Sequence, residues 1–134
     1  MFSSLDISAS GLSSQRLRMT TIANNVANIN TTRDEEGRAN PYKRRIVLFE
    51  EGSAGRDGTM GVHVPEIVLD DKAPHMEYNP SHPDANAEGY VAKPNINMIE
   101  EMVDMIAATR AYEANVTVME ATKSMYATAL RIIA

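Results

Sequence analysis

Cysteine and tryptophan are absent from this 134-residue sequence, and aromatic residues make up only 5% of it. Without cysteine the chain can form no disulfide, no thiolate nucleophile and no cysteine-ligated metal site. The shortage of aromatic residues and the nine methionines favour adaptable packing between helices over a rigid ligand pocket. The composition therefore predicts neither an enzyme nor a protein that binds a cofactor or a small-molecule substrate.

Long apolar runs are also absent. No stretch approaches the roughly 18 consecutive apolar residues of a membrane span, and Asp6 and several serines occupy the region where a signal peptide would be apolar. We therefore expect neither a membrane span nor a cleaved signal peptide. The formal net charge of −5 argues against a general nucleic-acid binder.

The last third of the chain has a regular apolar pattern. Between Met98 and Ile133 apolar residues recur at alternating steps of four and three, interrupted only by Thr109 and Lys123. This spacing is typical of a coiled-coil seam on one long helix. Such a helix is roughly 57 Å long, whereas a compact chain of this length has a radius of gyration of about 14 Å, so the molecule is not globular. The stripe consists of Met98, Met102, Met105, Tyr112, Val116, Met119, Tyr126, Leu130 and Ile133.

A second helical pattern opens the sequence. Its seven-residue repeat predicts a helix that begins between Ser4 and Asp6 and ends at Asn30 or Thr31. Residues 1–33 carry three bases against one acid, and residues 96–134 carry three bases against five acids. These opposite charges favour pairing of the two ends as a coiled coil. The repeat consists of Leu5, Leu12, Met19, Ile22, Val26 and Ile29.

The middle of the chain predicts a small β region. Residues 42–49 and 62–70 read as two strands of a hairpin, the first with its basic residues facing solvent and the second interrupted at Pro65. The glycines at every third position from Gly52 to Gly61 indicate a flexible connection, because the Lys-Ser/Thr ending of a phosphate-binding loop is missing. The proline-rich residues 72–94 are expected to be ordered by docking, and Asn97 with Glu100 predicts a cap for the long helix.

Candidate chemical groups have plainer interpretations. The spacing of His63, His75 and His82 is not that of a zinc site, so we expect solvated histidines and no metal. Adjacent acids such as Glu100 and Glu101 point in different directions on a helix, and adjacent residues on a strand point to opposite faces. Neither arrangement places two carboxylates across a substrate, so we expect these acids to be solvated surface residues. The basic cluster 43–45 is expected to protect an exposed strand edge, with an acidic patch on a protein partner as the alternative.

Three asparagines, Asn24, Asn25 and Asn28, lie in the last turns of the first helix, where each lowers helix propensity. Asn24 and Asn28 are four residues apart and share a face, so their amides could bond the backbone of a partner and fix its register. Alternatively, the run is a polar helix end that terminates at Asn30. The residues alone leave both interpretations open.

Three segments of the sequence resemble one family, the bacterial flagellar axial proteins. Residues 23–31, Ala-Asn-Asn-Val-Ala-Asn-Ile-Asn-Thr, are similar to the N-terminal signature of rod, hook and related proteins. Residues 82–124 resemble the C-terminal region of proximal-rod members, and residues 40–45 are similar to their early strand. Together these segments span most of the chain.

The resemblance implies a structural subunit of the flagellar basal-body rod that transmits torque across the periplasm without catalysis. It also implies export through the flagellar type III apparatus without a cleaved signal, and partners that are copies of the chain and other rod proteins. In such proteins the paired terminal helices form an inner tube and the central residues lie outside. Another rod subunit of the same family is an alternative, as is a soluble coiled-coil adaptor, with an enzyme as the third candidate.

The sequence therefore predicts a mainly α fold with a small β region, in which long N- and C-terminal helices pair as a coiled coil. Residues 1–33 and 96–134 are expected to form the inner domain and residues 34–95 a middle segment of strands and loops. We predict no catalytic, metal-binding or cofactor-binding residues. The predicted subunit interface consists of Leu12, Met19, Ile22, Asn24, Asn25, Val26, Asn28, Ile29, Met98, Met102, Met105, Tyr112, Val116, Met119, Tyr126, Leu130 and Ile133.

Overall fold

Two long antiparallel helices organise the fold. The computed structural model describes residues 3–52 and 60–133, with α1 at Ser3–Ala27 and α2 at Met98–Ile133. Near the end of α1 Asn25 bonds Glu101 at the start of α2, and Gly11 lies against Asn115. The 36 residues of α2 extend over about 54 Å. The predicted mainly α fold with a small β region is confirmed.

Asparagine side chains hydrogen-bond the backbone at the end of α1 and at the start of α2. The Asn97 Oδ1 accepts a hydrogen bond from the Ile99 N–H at 3.0 Å, which caps α2 as predicted. The Asn28 amide donates to the Asn24 carbonyl at 2.8 Å, and the Thr31 hydroxyl donates to Asn28 Oδ1. These side-chain bonds compete with the helical pattern, so α1 ends at Ala27 and not at Asn30 or Thr31.

The first hairpin follows α1 and consists of four short antiparallel strands. Strand β1 (Arg45–Val47) pairs with β4 (Ile67–Leu69), and β2 (Glu50–Glu51) pairs with β3 (Val62–His63). The predicted hairpin and its interruption at Pro65 are thus confirmed. The expected glycine-rich connection at residues 53–59 lies outside the described residues.

The first hairpin packs along α1. At one end Arg45 bonds Asn25, and at the other the Val62 N–H donates to the Ser10 hydroxyl at 3.0 Å. Gly61 allows this close approach, because a Cβ at that position would collide with the Ser10 side chain. Helix α1 therefore contacts both α2 and the hairpin.

A second hairpin, β5 (His75–Tyr78) with β6 (Tyr90–Lys93), was not predicted from the sequence. The segment 72–94 was expected to depend on docking, but four cross-strand residue pairs order it locally. The rings of Tyr78 and Tyr90 meet edge to face with centroids 5.2 Å apart. Gly89, with φ at +84°, occupies the connection where a side chain would be strained.

A polar clasp joins the second hairpin to the end of α1. Asp84, between β5 and β6, accepts hydrogen bonds from the Thr32 hydroxyl at 2.8 Å and from the Arg33 guanidinium at 2.7 Å. The bond from Thr32, aided by Arg33, outweighs burial and lowers the pKa of the Asp84 carboxyl. The clasp therefore stabilises the ionised carboxylate.

Acid should release this clasp. Because the pKa of Asp84 is lowered on folding, its contribution is complete above the ordinary carboxyl value of about 3.9 and is lost as the pH falls below it. We expect Asp84→Asn to lower the free energy of unfolding at pH 7, and the difference from the parent chain to shrink toward pH 3. Urea unfolding followed by circular dichroism at several pH values measures this.

The matched control is Asp71→Asn, at an exposed aspartate between the two hairpins. It should leave the free energy of unfolding nearly unchanged at every pH. A loss in Asp84→Asn of equal size at pH 3 and pH 7 would contradict the assignment.

Candidate assembly interface

The face of α2 that packs against α1, together with its continuation into the last turns of α2, is called the inner seam. Its residues recur at alternating steps of four and three, and all are buried or half-buried. This is the heptad spacing that the sequence predicts for a helix pair. The inner seam consists of Glu101, Met105, Ala108, Tyr112, Asn115, Met119, Thr122, Tyr126 and Ala129.

Half of the predicted stripe on α2 belongs to the inner seam. Met105, Tyr112, Met119 and Tyr126 lie there as predicted. Of the others, Met98 and Met102 are exposed and Val116 is half-buried. Leu130 is exposed in the last turns of α2, which project beyond α1. The side chain of Ile133 lies outside the described residues.

Close approach of the two backbones explains this difference. A Cβ on Gly11 would lie only 3.0 Å from the Asn115 side-chain nitrogen, and Ala108 has no exposed surface. Small residues let helix axes approach closely, and large apolar side chains at those positions would separate them. The helix pair therefore alternates small or polar positions of α2 with Met105, Tyr112 and Met119, and leaves other large apolar residues outside.

The predicted apolar repeat of α1 and of the turn that follows it faces the interior to different degrees. Ile22 is buried, while Leu12, Met19, Val26 and Ile29 are half-buried. The Thr109 hydroxyl lies 3.6 Å from the Met19 sulfur, which places that methionine against α2. The repeat thus contributes to the helix pair, as expected.

Asn25 is the point where α1, the first hairpin and α2 meet. Its side-chain nitrogen donates to the Arg45 carbonyl at 2.9 Å, and its side-chain oxygen accepts from the Arg45 N–H at 2.9 Å. The same nitrogen also donates to a Glu101 carboxylate oxygen at 3.1 Å. Asn25 is almost fully buried, so these bonds satisfy groups that water does not reach.

The asparagine run therefore acts partly within this chain. Asn25, rather than Asn24 or Asn28, hydrogen-bonds the backbone of another element, and that element is β1 of the same molecule. Asn28 bonds the carbonyl of Asn24, one turn earlier in α1. Asn24 has an exposed side chain on the outer side of α1.

Glu101 carries a carboxylate with 0% exposure, and Arg44 is its partner. The Arg44 Nε donates to Glu101 Oε1 at 2.6 Å, and the same guanidinium lies 3.5 Å from Asp104 and 3.9 Å from Asp70. Burial acts to lower the pKa of Arg44, but the bond to Glu101 and the neighbouring acids outweigh it and raise that pKa. We call Asn25, Arg44 and Glu101 the polar node.

The polar node corrects two predictions. Glu101 was grouped with Glu100 as solvated surface, and Arg44 was grouped with Lys43 and Arg45 on a solvent-facing strand. Of these five residues, Glu100, Lys43 and Arg45 are exposed as predicted, whereas Glu101 is buried and Arg44 is half-buried. No local sequence signal reveals this pair, because its two residues lie 57 positions apart.

Much of the molecular surface is uncovered. The accessible surface is 9404 Å², whereas a folded monomer of 14.7 kDa is expected to expose about 6,900 Å². Among the described residues only Ile22, Val91 and Ala108 are buried apolar residues. The excess of about 2,500 Å² is in the range of obligate interfaces.

An open groove of about 620 Å³ follows the end of α1 and includes Asn24, Tyr42, Lys43 and Arg45 in its walls. No group of three histidines or acids among the described residues could hold a metal ion. Neither described helix combines the length and hydropathy needed to cross a membrane.

Comparison with known proteins identifies similar sequences. The family "Flagella basal body rod protein" matches residues 5–33, and "Flagellar basal body rod FlgEFG protein C-terminal" matches residues 87–132. The flagellar basal-body rod protein FlgC of Bacillus subtilis strain 168 is 44% identical, over 98% of this chain and 97% of that protein. FlgC of Borreliella burgdorferi is 39% identical over 99% and 97%, and FlgC of Salmonella typhimurium LT2 is 35% identical over 90% and 88%.

Removing the Asn25 amide should destabilise the fold. Asn25→Ala leaves both backbone groups of Arg45 and one oxygen of Glu101 without this partner, which we expect to lower the free energy of unfolding by about 3 kcal/mol. Urea unfolding measures the change. Asn24→Ala, at an exposed position one residue earlier, should change it by less than about 0.5 kcal/mol. Equal losses in the two variants would refute the role of Asn25.

The ion pair can be tested by removing one partner and then both. Arg44→Met leaves Glu101 buried and charged, so we expect a loss of about 3–5 kcal/mol. The double variant Arg44→Met with Glu101→Leu should lose less than Arg44→Met alone, because no buried charge remains. Arg38→Met, which removes a surface ion pair, should lose about 1 kcal/mol or less. A double variant less stable than Arg44→Met would contradict this account.

Proposed function

Since the chain belongs to the FlgC family of flagellar basal-body rod proteins and is a structural subunit of the rod, we propose that its terminal helices polymerise helically with neighbouring subunits. Torque then passes through these contacts as the rod turns in the periplasm. The observation that carries the proposal is the large uncovered surface of a chain with so few buried apolar residues. Such a surface is stable when neighbours cover it.

The interface we propose uses the part of the predicted set that the helix pair leaves outside. Met98, Met102, Val116 and Leu130 are exposed or half-buried on α2. Ile22 and Asn25 are committed to the interior and support these surfaces indirectly. We propose that this contact joins different faces of successive subunits with a rotation that does not close a ring, so that it continues along the rod.

The domain organisation we propose follows the same division. Residues 1–33 and 96–134 form the inner part of the rod, and residues 34–95 form its outer part. The attachment of both hairpins supports this, because one packs along α1 and the other is clasped to the residues that follow it. We assign the chain no catalytic role, since its family is structural.

We further propose export through the flagellar type III apparatus, without a cleaved signal, to a periplasmic site in the rod. Passage through a narrow channel requires an unfolded chain. The few buried apolar residues favour easy unfolding, because little hydrophobic free energy opposes it. Other rod proteins and further copies of the chain are the partners.

The end of α2 offers the sharpest test of assembly. Gly11 lies against Asn115, so α1 begins about level with Thr122 and the last turns of α2 project beyond it. Leu130 and Ile132 are 67% and 81% exposed. Deletion of residues 130–133 should therefore impair incorporation into the rod far more than secretion.

The measurement compares the chain in culture supernatant with the chain in sheared, detergent-extracted basal bodies. The intact chain should be found in the basal bodies, whereas a purely cytosolic pool would support an adaptor and refute the proposal. Leu130→Gln with Ile132→Gln should reproduce the deletion, because it removes only apolar surface. Arg131→Gln is the matched control and should incorporate normally. Normal incorporation of the deleted chain would refute the role of this end.

A further inference from the structure

Helix α2 has a second stripe of regular spacing, which we call the outer seam. Its residues also recur at alternating steps of four and three, shifted by one position from the inner seam, and none is charged. Large and small residues alternate over its second half. The outer seam consists of Ala107, Ala111, Ala114, Val118, Ala121, Met125, Thr128 and Ile132.

The outer seam faces solvent. Val118, Met125 and Ile132 are 53–81% exposed, and Ala111 alone is half-buried. The Thr128 hydroxyl donates to the Ser124 carbonyl at 3.0 Å, so its polar group is already bonded within the helix. A heptad stripe without charge is the pattern of a helix that packs against a further helix.

The first turns of α2 carry a different apolar surface, the proximal patch, formed by Ile99, Met102, Val103 and Ile106. These residues follow the i, i+3, i+4, i+7 spacing of a helix face that inserts into a groove, and all are 57–72% exposed. At 3.6 residues per turn, the first turns of the outer seam lie about 100° around α2 from this patch. One molecule therefore presents the two surfaces to different neighbours.

We propose that the proximal patch of one copy packs into the outer seam of a second copy of this chain. The two surfaces are complementary, because the patch has only large side chains and the outer seam has alanines that leave room for them. Neither surface carries a charge that burial would leave unpaired. This contact rests on the proposed polymerisation and specifies which faces of the helix join successive copies.

The absence of cysteine makes the contact directly testable. Flagellated cells that carry Ile106→Cys with Ala114→Cys as their only copy are treated with a short bismaleimide, and basal bodies are purified. A head-to-tail contact should give a ladder of dimers, trimers and longer products. Each single-cysteine variant should give no dimer, and neither should Ile106→Cys with Ala127→Cys, an exposed alanine outside the outer seam.

Several results would overturn the inference. A dimer from Ala114→Cys alone would indicate a two-fold contact, and a product with another rod protein would indicate a different occupant. The absence of a ladder, in rods that contain the double-cysteine chain, would refute the contact while the proposed function stands. Absence of the unmodified chain from rods would instead refute the proposed function.

A second measurement uses the size of the alanine positions. Ala114→Leu or Ala121→Leu fills the space that the patch requires, so the number of completed rods should fall about tenfold or more. Ala127→Leu makes the same substitution outside the outer seam and should leave rod number unchanged. Circular dichroism of the purified chains should show equal helix content in all three. Normal rod number in both outer-seam variants would overturn the contact.

Discussion

The buried carboxylate of Glu101 is the constraint on which the arrangement of this molecule depends. A charge without access to water is tolerated only when it is paired and hydrogen-bonded, and Arg44 and Asn25 supply both interactions. Asn25 lies in α1, Arg44 directly precedes β1 and Glu101 lies in α2, so satisfying one charge fixes α1, the start of the first hairpin and α2 relative to one another. Farther along the helix pair from Glu101, the helices approach closely at two small residues. A Cβ on Gly11 would crowd the Asn115 side chain, and Ala108 is fully buried.

Close approach determines what the rest of α2 can do. A helix pair joined by large apolar residues would hide them and gain more from the hydrophobic effect. Here small and polar positions alternate with Met105, Tyr112 and Met119 in the inner seam, and residues such as Met102, Met125 and Ile132 remain outside. The isolated subunit gives up hydrophobic stabilisation that its neighbours in a rod can supply. In a subunit built this way, the residues that stabilise the fold differ from the residues that are available to contact neighbouring subunits.

The sequence was sufficient for the helices, the first hairpin and the Asn97 cap, because each has a local signal of periodicity or side-chain type. It was not sufficient for the phase of the seam. Met105 and Tyr112 belong to both the predicted stripe and the inner seam, so they do not decide between the two. At the position before Met105, hydrophobicity selects Met102 as the seam residue, whereas packing selects Glu101. The ion pair of Glu101 with Arg44 joins residues 57 positions apart, so no local pattern reveals it. The second hairpin was missed because the prolines of this segment suggested a loop, whereas they flank the two strands or lie between them and none lies within a strand.

A regular heptad stripe has a further physical consequence for a rod under torque. Successive heptads offer similar apolar contacts, so a helix held only by such contacts can slide by one repeat at small cost. The bonds of Asn25 to both backbone groups of Arg45 are directional and have no equivalent one heptad away. The polar node therefore fixes the axial position of α1 and of the hairpin against α2. Because the exposed stripes lie on α2, their axial position relative to the first hairpin is fixed by residues that no neighbouring subunit has to contact.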